Sequence, residues 1–163
     1  SQAMPPLSQA ARSALQRHLR LGGFLYVDSP SSDSAFSTSV RDEVGAIFPP
    51  DKMEARLQVL DVEHVLFRTF YMLDRAHGCV DDTGKVLGLE LDGRLAVAMT
   101  DCDVLGALER NAYGQWSVDC QNGDERSREM AFRFGINVLM YATCLGYKAD
   151  QVHIPFILNK RRR

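Results

Sequence analysis

Residues 19–30, LRLGGFLYVDSP, set a glycine pair directly ahead of four apolar residues that end on an aspartate. Gly22 and Gly23 can take the positive φ found just past a helix end, so a helix running into them is expected to stop there. The run before them, residues 9–19, has Ala11, Leu15 and Leu19 spaced for one apolar face, with Ser8 placed as the N-cap. Phe24, Leu25, Tyr26 and Val27 then form an unbroken apolar strand of the kind covered on both faces. Helix, glycine stop and buried strand make one unit of α/β winding. In open α/β sheets ligands bind outside the carboxyl ends of the strands. Asp28 and Ser29, followed by Ser31, Ser32, Asp33 and Ser34, are therefore the first candidate site residues. The competing use of Asp28 is to cap the next turn.

A chain of 163 residues, 45% hydrophobic and 25% charged, has the size of one globular domain with its own core. Residues 1–3 read as a cloning remnant ahead of Met4, residues 4–148 as a single α/β domain, and residues 149–163 as a C-terminal docked segment with a basic tail. A net charge of -2 argues against a general nucleic-acid binder, and the basic residues 160–163 have no aromatics between them. No apolar run reaches membrane-spanning length and no signal-peptide order opens the chain, so it is expected to be soluble as it stands, with its compartment left open. Cys79, Cys102, Cys120 and Cys144 are widely separated and form no C-x-x-C, so free thiols are expected and a zinc knuckle is not.

Further along, residues 35–48 carry Phe36, Val40, Val44 and Ile47 at helical spacing and stop at Pro49 and Pro50, with Gly45 a weak point. Residues 54–60 alternate like a strand. The following segment, DVEHVLFRTFYML, is a dense apolar cluster under a loop or short helix, where His64 beside Asp61 reads either as an acid-base pair or as a turn histidine bonded to backbone. Asp81 to Lys85, DDTGK, is turn chemistry and not a phosphate loop. Two strand-like runs joined at Asp92 and Gly93 predict a tight hairpin. Arg94 opens the second, which is apolar enough to be central and delivers Thr100, Asp101 and Asp103 to its carboxyl end, the same rim as Asp28 if the strands are parallel. Residues 111–124 read as an excursion in which Trp116 packs the loop down. Asp124 is placed to cap a helix over residues 125–145 that ends at Gly146. Its polar stripe, Glu129, Arg133 and Asn137, either pairs internally or turns Arg133 and Asn137 toward an anion. The run Ile154 to Leu158, broken by Pro155, predicts an edge strand or an extended docked segment.

LRLGGFLYVDSP, AFSTSVRDEVGAIFP, EHVLFRTFYML, LGLELDGRLAVAMTDCDVLGAL, REMAFRFGINVLMYATCLGYK and QVHIPFIL, in that order, resemble the bacterial domain-of-unknown-function family 4159 over nearly the whole chain. The resemblance implies an α/β, three-layer, flavodoxin-like fold of the class I glutamine amidotransferase type, with a mainly parallel sheet. It also implies a strand ahead of the Ser8 helix, which this sequence does not contain. An open sheet edge is then expected, and with it a homodimer. Family members are often exported or joined to membrane-anchored proteins, which implies an envelope-associated role and an envelope or membrane-anchored partner.

True amidotransferases of this fold carry a cysteine nucleophile at the turn where this chain reads VDSP, and no histidine-glutamate partner is evident, so no catalytic residue is assigned and no cofactor is expected. The leading expectation is a non-catalytic binding or assembly module whose crevice draws on Asp28, Ser29, Arg94, Asp101, Asp103, Arg133 and Asn137. The rival is a metal-assisted hydrolase in which Asp28, Asp101 and Asp103 surround a divalent ion and His64 is the base.

Overall fold

The computed structural model describes residues 2–31, 34–49, 56–80, 83–120 and 125–160, with side chains as far as Cys144. Expectations for Ser32, Asp33, Pro50, residues 54–55, Asp81, Asp82, the cap at Asp124 and the last three arginines lie outside the described residues.

The Ser8 hydroxyl accepts the Ala11 amide at 3.2 Å and starts α1 (Gln9–Arg20). Gly22 takes φ +104° and releases the chain into β1 (Leu25–Asp28). The Ser34 hydroxyl caps α2 (Ala35–Ile47) by accepting the Ser37 amide at 2.9 Å. Of the alternating residues 54–60, only β2 (Gln58–Val59) pairs as strand. A 3-10 turn (Val65–Arg68) follows, then β3 (Val86–Leu91) and β4 (Arg94–Thr100). Asp92 and Gly93 join these two with φ of 52° and 74°, the double left-handed geometry of a two-residue hairpin. A short α3 (Val104–Leu108) and a long α4 (Glu125–Lys160) complete the order.

Among the described residues four strands lie in the order β1-β4-β3-β2. Only β1 and β4 are parallel; β3 with β4, and β2 with β3, are antiparallel. The mainly parallel sheet expected from the resemblance is therefore replaced by a mixed one, because a two-residue hairpin can join only antiparallel strands. β4 is central, as its composition predicts, and is buried from Leu95 onward. On one face Leu19 of α1 and Val40, Val44 and Ile47 of α2 meet Leu89, Val97 and Met99. On the other, Leu66 and Phe67 of the 3-10 turn and Phe134, Val138 and Tyr141 of α4 meet Val86, Leu95 and Ala98.

Two further expectations are corrected. Gly146 does not end α4, which continues through residues 149–160 where an extended segment was expected. A glycine costs a helix only about 1 kcal/mol, and a short apolar run does not by itself distinguish strand from helix. Cys79 and Cys120 form a disulfide across 41 residues, in place of free thiols. Their spacing carries no signal; the folding of the Trp116 loop brings them together. Among the described residues no helix is long and apolar enough to cross a membrane.

Candidate functional site at the strand tips

The parallel register sets Asp28 beside Thr100 at the carboxyl ends of β1 and β4. Asp28 Oδ1 accepts the Thr100 hydroxyl at 2.8 Å, and Asp28 Oδ2 accepts the Leu105 amide at 2.7 Å. With its proton committed to Asp28, Thr100 Oγ1 accepts the Tyr26 hydroxyl at 2.6 Å. Asp28 thus holds the first turn of α3 from a neighbouring strand. Burial pushes its carboxyl above the ordinary aspartate value, opposed by hydrogen bonds from Leu105, Thr100 and Val104. Burial likewise pushes the Tyr26 phenol well up.

Ser29 is buried. Its hydroxyl donates to the Ser31 carbonyl at 2.9 Å and lies 2.8 Å from the Ser34 hydroxyl, so among the described residues its partners are a carbonyl and a hydroxyl and not a base. The Ser29 carbonyl accepts the Asp103 amide at 3.1 Å, and Asp103 stands in the left-handed region at φ 57°. Burial raises the Asp103 carboxyl, against a hydrogen bond from Gly106. Asp101 accepts the Ser37 hydroxyl on Oδ1 and Arg41 Nη2 on Oδ2, both at 2.8 Å. Asp28, Ser29, Asp101 and Asp103 are therefore brought together, and their bonds tie β1, β4, α2 and α3 to one another.

The other three candidate residues lie elsewhere. Arg94 begins β4, about 20 Å from the tip at 3.3 Å per residue, and donates to the carbonyls of Leu19 and Gly23 at the end of α1. Arg133 pairs with Glu129 at 2.5 Å and lies over the Tyr71 ring. Asn137 is fully buried; its Oδ1 accepts the amides of Phe70 and Tyr71 at 3.1 and 2.8 Å, and its Nδ2 donates to the Tyr71 carbonyl at 2.9 Å. Both serve the segment after the 3-10 turn. Trp116 packs as expected, with the guanidinium carbons of Arg110 and Arg128 at 3.7 and 4.3 Å from its ring centre.

His64 lies at the opposite end of the sheet, in a cleft of about 600 Å³ shared with Gln58, Asp61, Glu90 and Asp92. Its Nδ1 accepts the Leu66 amide at 3.1 Å, the behaviour of a turn histidine. It cannot serve as base to the Asp28 cluster. Among the described residues no three histidine, cysteine or acidic side chains are grouped to hold a metal ion, and the oxygens of Asp28 and Asp101 point at protein donors.

Thr100, Tyr26, Ser37 and Arg41 complete the strand-tip network. Thr100 is expected from sequence at the end of its strand, whereas Tyr26, Ser37 and Arg41 were not singled out as site residues.

No curated protein matches the chain at a significant level. A family model described as Domain of unknown function (DUF4159) matches residues 1–143. That match takes in both helix-covered faces of the sheet and the whole strand-tip network, and the chain belongs to the DUF4159 family.

Proposed function

We propose that this chain is a non-catalytic binding or assembly module at the bacterial cell envelope, with the flavodoxin-like, amidotransferase-like architecture centred on the parallel β1–β4 pair. The strand-tip side chains that a catalyst would direct at substrate are bonded within the protein, as the Asp28 contacts to Thr100 and Leu105 illustrate. The observation that carries the reading is the outer edge of β1. The Ser29 amide donates to Thr100, so by alternation the main-chain groups of Tyr26 and Asp28 face away from β4. No strand covers that side among the described residues.

An uncovered edge of apolar residues without lysine, proline or bulge is a template for strand addition. Leu105, whose amide bonds Asp28, is exposed beside it, and Phe132 and Leu139 are exposed on the neighbouring α4. The partner in this reading is a second copy, pairing β1 with β1 about a two-fold axis into one continuous sheet. The Cys79–Cys120 disulfide supports the envelope setting, since such bonds persist in oxidising compartments. Sedimentation velocity tests the reading: a dimer is expected at micromolar concentration, with Leu105→Glu and Leu139→Glu shifting it to monomer. A monomer at every concentration overturns the assembly role.

A further inference from the structure

A second feature lies on the α2 face, away from the β1 edge. Gly45, a poor helix residue in the last turn of α2, opens an apolar cleft of about 280 Å³ whose walls are Val44, Phe48, Leu57 and Leu87. A Cβ built on Gly45 meets nothing within 4 Å. Arg41 and Leu87 also line a second, more polar cleft of about 190 Å³ with Lys85 and Asp101, so the two compartments adjoin. Arg56 stands at the mouth of the apolar one. Among the described lining residues three cations (Arg41, Arg56, Lys85) and one anion (Asp101) leave a net charge of +2 around a hydrocarbon-lined space.

Arg41 does not have its donors filled. Its Nη2 bonds Asp101, but its Nε is buried with no acceptor among the described residues, an arrangement that is costly unless an anion or a shift of the guanidinium satisfies it. Lys85 forms no ion pair among the described residues. We infer that this divided cleft binds a small amphiphile, an anionic head between Arg41 and Lys85 with an aliphatic tail along Val44, Phe48, Leu57 and Leu87. The charge fixes the sign of the head, and the apolar walls require the tail. Acetate lacks the tail and an alkylamine has the wrong sign.

Titration calorimetry with octanoate tests the inference, with acetate and octylamine as controls. Saturable octanoate binding is expected, with neither control binding comparably. Gly45→Leu, whose side chain enters the open space, should weaken octanoate about tenfold, the value of two buried methylenes. Lys85→Met removes one head contact without touching an internal bond and should weaken it by a smaller factor. Octyl phosphate distinguishes a phosphate from a carboxylate head, and tighter binding of either identifies the natural class. The inference is overturned if octanoate does not saturate, if both variants bind it as wild type does, or if octylamine binds as well.

Discussion

Across the parallel β1–β4 pair, the carboxylate of Asp28 and the hydroxyl of Thr100 meet at 2.8 Å although 72 residues separate them in the chain. Replacing either breaks hydrogen bonds at the strand tips. Thr100→Val takes the partner from Asp28 Oδ1 and the Tyr26 hydroxyl, and Asp28→Ala takes the acceptor from the Thr100 hydroxyl proton and the Leu105 amide. Each should cost about 1–3 kcal/mol in urea unfolding. The double variant should cost less than the sum, by a coupling of about 0.5–3 kcal/mol. Strict additivity would mean that the pair does not act as a structural unit.

Stability should fall on mild acidification. Burial holds His64 and His77 below the ordinary imidazole value in the folded protein. The unfolded chain therefore takes up those protons first as pH falls, so their stabilising contribution is complete above the ordinary value and lost as pH drops through the folded one. For His64 the geometry agrees: protonated Nδ1 can no longer accept the Leu66 amide. His64→Asn keeps an acceptor there without titrating and should flatten the unfolding free energy between pH 7.5 and pH 5.5 (on the order of the ordinary imidazole range). An unchanged slope in that variant would remove His64 from the explanation. Asp28 and Asp103 have the opposite sign. Their raised folded values give a contribution present below the ordinary carboxylate value and lost as pH rises through the folded one, so it runs against that of the histidines.

The Cys79–Cys120 disulfide closes a 41-residue span, for which chain entropy assigns about 4 kcal/mol. Reduction, or Cys79→Ser with Cys120→Ser, should lower the urea midpoint accordingly. Mass spectrometry of protein prepared under oxidising conditions should show one disulfide between these two cysteines. Two unlinked cysteines in such a preparation would contradict both the bond and the compartment it implies.

Local signals in the sequence led to the right elements wherever the physics is local. Ser8 caps a helix, Gly22 ends one, Asp92-Gly93 makes a hairpin, and the apolar run after Arg94 is the central strand. The candidate site was legible in part for the same reason: residues at the carboxyl ends of parallel strands share a rim, and β1 and β4 are a parallel pair, which put Asp28, Ser29, Asp101 and Asp103 together. What each contacts depends on strand register and helix rotation. Asn137 shows this well, since a periodic polar stripe on α4 does not reveal that one member turns inward to hold the amides of Phe70 and Tyr71. Arg94 shows it too; its charge suggested a ligand, while its position at the start of β4 gives it the carbonyls at the end of α1. The cysteine pair was invisible because the contact is made by loop packing, with no periodicity to read.

Amide hydrogen exchange resolved to single residues in β1, measured over a range of protein concentrations, tests the assembly reading most directly. Val27 and Ser29 face β4 and should be protected at every concentration, whereas Tyr26 and Asp28 face outward and should gain protection only as the protein associates. Leu105→Glu should abolish that gain while leaving Val27 and Ser29 protected. Outward amides that exchange freely at every concentration, with the inward pair still protected, would contradict pairing of β1 with a second copy.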